Sequence, residues 1–192
     1  MRLRKTHMEA ASQSQPEKQA SAPVSSLAAV PIRAARLRLV PLAAEQVEEL
    51  SRLLADPRLH QFIGPSTTPE LRRRLTRQLQ GPETPGVYWC NWALHEVETD
   101  RLVGTVQATI SSRDDGLAAA IAWTVGVPWQ RRGLAQEAAL ALVHWLREAG
   151  GTKLIAYIHP EHKASQSVAR AAGLAPTAEW LDGEIAWAAD LG

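Results

Sequence analysis

The run LAAAIAWTVGVPW over residues 117–129, continued by QRRGLAQEA, constrains the fold more than any other part of the chain. Ile121, Trp123, Val125 and Val127 alternate with small residues, the period-two pattern of a strand with one buried face. Pro128 has no N–H to give a ladder, so pairing is expected to stop there. From Leu134 the period changes: Leu134, Ala138, Ala141 and Trp145 share a helical face that ends at Gly150 and Gly151. Residues 130–133 therefore join a strand to a helix start. Such a junction leaves N–H groups unpaired beside the positive end of the helix dipole, and Gly133 accepts a positive φ or a close approach by another group. Phosphate suits it best. Arg131 and Arg132 add charge, although an ordinary basic turn would carry the same residues. On the strand's other side, Ala120, Ala122 and Gly126 leave room for a ligand, or for a tightly packed helix.

The remaining elements follow from the same two periods. RLRLVPL near residue 37 reads as a short strand, and Val47, Leu50, Leu53 and Leu54 line one face of a first helix. Thr68 is the expected cap of a second helix with Pro69 in its first turn, Leu71, Leu75 and Leu79 on its apolar stripe, and Arg72, Arg73, Arg74 and Arg77 on its other faces, where a solvated face is favoured over an anion-binding role. VYWCNWALHEV and RLVGTVQATI form a hairpin across Glu98, Thr99 and Asp100, and SSRDDG reads as a polar break. KLIAYIHP is a further strand, a short helix closes at Gly173, and APTAEW and EIAWAAD are the last two strands. The expected order is strand, two helices, three strands, helix, strand, helix, two strands.

Length and charge narrow the function. A chain of 192 residues, 45% hydrophobic, buries one domain's core. Residues 1–36 hold six basic and two acidic residues, and the remainder holds 15 basic and 18 acidic, so binding to anions must be local and no nucleic-acid partner is expected. No apolar run reaches membrane-spanning length, so no membrane partner is expected either. Cys90 is the single cysteine, which excludes an internal disulfide and suits a reducing cytoplasm, and no Cys/His cluster has zinc spacing. The first residues are rich in Ser, Gln, Ala and Pro and carry no aromatic, so residues 1–35 are expected as a disordered tail before a single domain over 36–192. A chain beginning near Ala34 is then expected to fold.

Two segments at the expected separation carry a family resemblance. VGVPWQRRGLA resembles the acetyl-CoA signature of the GNAT N-acetyltransferases, with Gln130, Gly133 and Ala135 at the diagnostic positions. HPEHKASQSVARAAGL is similar to the family's second signature, with His162 where an Asn is usual, and both follow a W-A-L…LVG-T-V hairpin. RLRLVPL and ADPRLHQFIG further resemble the ribosomal-protein N-terminal acetyltransferase branch. The resemblance covers about residues 36 to 190. It implies an α/β GNAT fold: a mixed, mostly antiparallel central sheet with splayed fourth and fifth strands, flanked by about four helices.

It also implies acetyl-CoA as cosubstrate, no metal, an amine acceptor, a monomer or homodimer, and direct attack without a covalent enzyme intermediate. Backbone groups of Val125 and Val127 would meet the pantetheine, and N–H groups across Gln130, Arg131, Arg132, Gly133, Leu134 and Ala135 would hold the pyrophosphate. His162 and Ser165 would lie near the thiol as candidate catalytic residues, His162 as a base or a structural residue, Ser165 as a donor to sulfur or a helix-start hydrogen bonder. The chain departs from the family at two places, since Ala120 and Ala169 stand where many relatives place a glutamate base and a tyrosine acid. A non-catalytic acyl-CoA-binding regulatory module is therefore the alternative. A nucleotide-phosphate enzyme is disfavoured by the lack of G-x-x-x-x-G-K-[ST] and G-x-G-x-x-G loops.

Overall fold

A computed structural model describes residues 27–62, 66–113 and 116–191. In chain order they form β1 (Ile32–Arg33), β2 (Leu37–Pro41), α1 (Ala44–Leu54), a 3-10 turn (Pro57–Leu59), α2 (Thr68–Gln80), β3 (Val87–Glu96), β4 (Leu102–Arg113) and β5 (Gly116–Val125). A second 3-10 turn (Val127–Trp129), α3 (Leu134–Glu148), β6 (Gly151–Ile158), α4 (Lys163–Ala171), β7 (Ala175–Leu181) and β8 (Glu184–Asp190) complete the order. The strands make one sheet, β1-β2-β3-β4-β5-β6-β8-β7.

Connection length sets strand direction. β3, β4 and β5 follow one another through short turns and pair antiparallel, whereas α3 carries the chain from β5 back to a parallel β6. That parallel pairing runs only from Leu117 opposite Gly151 to Ala120 opposite Ile155. Beyond it β5 stays with β4 as far as Val125 opposite Gly104, and β6 stays with β8 as far as Ile158 opposite Ile185. The two strands part, as the resemblance implied; with β1 added at the front of the sheet, the family's fourth and fifth strands are β5 and β6 here.

Alternation along the strands divides the helices between two faces. Trp92, Val106, Ile110, Ile121 and Val125 face a core completed by Leu134, Ala138, Leu142 and Leu146 of α3. On the other face Val47, Leu50 and Leu54 of α1 and Leu71 and Leu75 of α2 cover Ala93 and Leu102. Gly126 lies under α1, where a Cβ would come within 2.5 Å of Leu53 Cδ1, so tight helix packing explains that small residue. Ala122 is exposed and Ala120 half-buried, so that part of the face stays open. Gly104 is required for a different reason: a Cβ there would sit 2.2 Å from the Thr124 carbonyl oxygen of the neighbouring strand.

Several expectations need correction. The cap of α2 is Thr67, one residue earlier than Thr68, because the Glu70 carboxylate accepts from both its N–H and its hydroxyl at 2.8 Å. Leu79 lies at the exposed end of the stripe. Ser111, Ser112 and Arg113 continue β4 rather than breaking it, Arg113 pairing with Gly116. Val127 belongs to the 3-10 turn and not to the strand.

The segment 27–35, placed with the tail by composition, is laid against the sheet. β1 pairs with β2, the Val30 carbonyl accepts a 2.7 Å hydrogen bond from the Trp92 indole, and Leu27, Ala29 and Ile32 pack on the main core. Residues 1–26 of the expected tail, Asp114 and Asp115 of the polar break, and Ile63 and Gly64 of the quoted ADPRLHQFIG lie outside the described residues. A chain beginning at Ala34 is accordingly expected to melt about 5 °C below one beginning at Leu27, for the loss of the β1–β2 pairing, the Trp92–Val30 hydrogen bond and the apolar contacts of Leu27, Ala29 and Ile32. Scanning calorimetry of the two chains checks this, and equal Tm values would refute the docking of this segment.

Candidate functional site: the mouth between β5 and β6

The backbone changes hand twice on the way from β5 to α3. Gln130 is extended, Arg131 has φ +61°, and Gly133 has φ +77° and caps α3. Alternating hand turns successive N–H groups toward a common concave side, the geometry that binds anions. None of the N–H groups of Arg131 through Gln136 has a hydrogen-bond partner among the described residues, while Glu137 N–H already bonds Gly133. The Gln130 N–H is taken by the Val127 carbonyl, so the available run begins one residue later than expected. Gln130 contributes instead through its side chain, whose Nε2 donates to the Val125 carbonyl at 3.1 Å. A non-glycine residue at positive φ costs about 1–2 kcal/mol, and such strain concentrates at ligand sites.

The loop is held from below by charges that spacing could not reveal. Glu137, in the first turn of α3, accepts from the N–H of Arg36 at 2.6 Å, from the N–H of Leu37 at 3.1 Å and from Arg36 Nε at 2.8 Å. Arg36 Nη1 also donates to the Arg132 carbonyl at 2.8 Å. The Arg132 side chain reaches away from the mouth to Glu96 at the end of β3, so of the two loop arginines only Arg131 is without an ion-pair partner among the described residues. Thr99 and Arg132 hold the Glu96 carboxyl below the usual carboxylate range. Arg36, Glu96 and Glu137 are thus positioning residues missed from sequence, each far in the chain from the group it holds.

The other lip of the mouth is the turn from β6 into α4. His162 caps α4: its Nδ1 accepts the Ser165 N–H at 3.1 Å, and its Nε2 lies 3.4 Å from Ser165 Oγ. Accepting at Nδ1 fixes the neutral tautomer with the proton on Nε2. The ring then donates to Ser165 Oγ, leaving the serine's own proton free to point elsewhere. A neutral imidazole has one lone pair, and here the helix cap uses it, which favours the structural role of His162 over that of a base. Desolvation, chiefly, and the neighbouring His159 push the His162 pKa below its ordinary value. Phe62 packs on both rings, its centroid 4.5 Å from His162 and 5.2 Å from His159. Nδ1 of His159 accepts the Glu161 N–H at 3.2 Å.

The two lips are tied together. Gln136 Nε2 of α3 donates to Ser167 Oγ of α4 at 3.4 Å, so the first turns of both helices meet where their parent strands have parted. Ala120 sits in the last pair before the parting, and Ala169 is fully buried beneath α4.

A family model for an acetyltransferase (GNAT) domain matches residues 36–175. The chain belongs to the GNAT acetyltransferase family. Its fold is similar to that of a GNAT acetyltransferase from Bacillus anthracis (TM-score 0.68, 19% identity, covering 84% of this chain and 99% of that one). It is also similar to a Salmonella typhimurium acetyl transferase that modifies the N-terminal serine of ribosomal protein L7/L12 (0.68, 18%, 84% and 99%). A third likeness is to RimL, a ribosomal L7/L12 alpha-N-protein acetyltransferase, in complex with coenzyme A (0.68, 18%, 84% and 98%). No curated protein sequence matches the chain. At these identities the likeness to solved structures is one of fold, and the family assignment makes the chain an acyltransferase enzyme.

Within this GNAT enzyme two substitutions report on the lips. Glu137→Ala is expected to cost about 2 kcal/mol of stability, since it leaves two N–H groups and the Arg36 guanidinium without their acceptor, and to weaken coenzyme A binding about tenfold. Urea unfolding and calorimetry measure both, and unchanged affinity would show that the loop holds its shape without the anchor. His162 binds its proton more weakly folded than unfolded, so its contribution is complete above the ordinary histidine value of about 6.5 and falls as pH drops through that value toward the lower folded one. His162→Asn keeps a capping side chain and removes the titration. Its Tm is expected to fall less than wild type between about pH 7 and 5, and parallel curves would show that the ring does not titrate as described.

Proposed function

We propose that this enzyme transfers an acetyl group from acetyl-CoA to a primary amine, either a protein N-terminus or a small-molecule amine, in the cytoplasm. The observation that carries this reading is the conjunction of a parted β5–β6 pair with a run of N–H groups from Arg131 to Gln136, unpartnered among the described residues, at one of its lips. The N–H run and Arg131 suit a pyrophosphate, and the freed edges beyond Ala120 and Ile155 suit the amide-bearing arm of the cosubstrate. At Val125 the backbone carbonyl is already held by Gln130, so Gln130 must turn aside where that carbonyl is to meet the arm.

The chemistry needs little from the protein once the reactants are held together. The neutral amine attacks the thioester carbon; the C–N bond forms, the C–S bond breaks, and its electron pair leaves on sulfur. The proton shed by the amine ends on the thiolate or on water. Ser165, accepting from His162 Nε2, has its hydroxyl proton available for the departing sulfur. Direct attack agrees with the state of the single cysteine, since burial pushes the Cys90 thiol up to about 11 and no thiolate nucleophile is at hand.

The non-catalytic alternative draws on Ala120 and Ala169, which stand where many relatives place proton-transfer groups, and on the occupied lone pair of His162. Coenzyme A release measured across a panel of amines, N-terminal peptides included, separates the two, and no turnover with any amine would favour the module. If the N–H run holds the pyrophosphate, Gly133→Glu abolishes coenzyme A binding while circular dichroism stays unchanged, because the carboxylate both fills the approach and repels the anion. Unaltered affinity would remove the phosphate site. Ser165→Ala is expected to lower kcat about tenfold to a hundredfold at nearly constant coenzyme A affinity, and a wild-type kcat would end the Ser165 assignment.

A further inference from the structure

The arginines of α2 are exposed, and two of them also border a cavity. Arg74, Arg77 and Gln78, one helical side of α2, roof a cavity of about 210 Å³ whose floor is Trp89 and Asn91 of β3 with Gln107 and Thr109 of β4. Every charged group around it is a cation. Neither guanidinium has an ion-pair partner among the described residues, whereas their neighbour Arg72 is paired with Glu48. The floor is a set of donors. Gln78 Nε2 donates to Gln107 Oε1 at 2.8 Å, which leaves the Gln107 amide N–H groups unpartnered among the described residues, and the Trp89 indole N–H is likewise unpartnered. Asn91 is only 8% exposed, lines the cavity and makes no side-chain hydrogen bond among the described residues. Its amide opens onto the cavity, where a ligand that accepts from it takes the place of water.

Register places this cavity beside the mouth. Trp89 pairs with Thr109, Thr109 with Ala120, and Ala120 with Ile155, so one row of side chains leads from under α2 to the last pair before β5 and β6 separate. The next row runs from Asn91 through Gln107 to the exposed Ala122. Neighbouring strands lie about 4.8 Å apart, which puts the cavity about 5–10 Å from the mouth. The small side chains of Ala120 and Ala122 leave that path open.

We propose that this cavity selects the acceptor: it takes a carboxylate carried by the amine substrate, about one or two residue lengths from the reacting nitrogen, with Arg74 and Arg77 as the charge and Asn91, Gln107 and Trp89 as the donors. The inference rests on the amine-transfer reading and adds the class of amine. A free ω-amino acid and a peptide with an acidic residue just after its N-terminus offer the same chemistry at this spacing.

The test uses two charged probes and their neutral isosteres, the peptide amides Ala-Glu-Ala and Ala-Gln-Ala, and 4-aminobutyrate with 4-aminobutyramide. Binding is measured by calorimetry on the full chain with coenzyme A present, and turnover by thiol release with acetyl-CoA. At least one charged probe is expected to bind tenfold or more tighter than its isostere, the peptide pair or the small-molecule pair showing which source fits. In Arg74→Gln/Arg77→Gln that preference disappears, with KM for the charged probe rising about tenfold and coenzyme A affinity unchanged. Equal binding of both members of both pairs, or a preference that survives in the double variant, overturns the proposal. Charge-selective binding without thiol release upholds the cavity and overturns the transfer reading instead, so the two fail separately.

Discussion

The site depends on where one parallel pairing stops. β5 and β6 exchange hydrogen bonds only up to Ala120 and Ile155, because each strand is then carried off by its antiparallel partner, β4 on one side and β8 on the other. Twisted strands that diverge in the middle of a sheet leave two interior edges whose N–H and C=O groups have no ladder partner. Buried edges of that kind are unfavourable unless something completes them. The pantetheine arm of acetyl-CoA carries amides and is the ligand that this proposed function supplies.

Helix starts cluster at the same place for the same reason. β5 and β6 both end at the mouth, and the chain turns back from each through a helix, so α3 and α4 present their first turns to the gap and touch through Gln136 and Ser167. The lips are held differently. The α3 lip is shaped by backbone of positive φ at Arg131 and Gly133 and fastened by Glu137 to Arg36 and Leu37. The α4 lip is shaped by the His162 ring, which closes the helix start at Nδ1 and lies with Nε2 beside the Ser165 hydroxyl. In the proposed reaction one lip would offer N–H groups and charge to an anion, and the other a hydroxyl to the leaving sulfur.

The two faces of the sheet divide the labour in this reading. α3 covers the face that buries the large alternating residues Ile121 and Val125, while α2 covers only part of the other and leaves Ala122 open. Cosubstrate at the mouth and acceptor along the α2 face would approach the same row, Thr109–Ala120–Ile155, from two directions. Direct transfer requires that approach, and the small side chain of Ala120 would leave it open.

Local sequence determined the elements and the loop that joins β5 to α3. Period-two runs, the shift to a helical period after Pro128 and the glycine at residue 133 each act over a few residues, and each has one favourable backbone outcome. What tertiary structure alone decided are pairings between distant residues. Arg36 meets Glu137, Glu96 meets Arg132, and Val30 meets Trp92, which brings residues 27–35 into the domain although their composition reads as tail. The arginines of α2 show the same limit: helical spacing puts Arg74 and Arg77 on one face, but only the sheet beneath them turns that face into a cavity lined with donors. Periodicity tells which side of an element is apolar. What lies opposite the polar side depends on chain packing that no local pattern encodes.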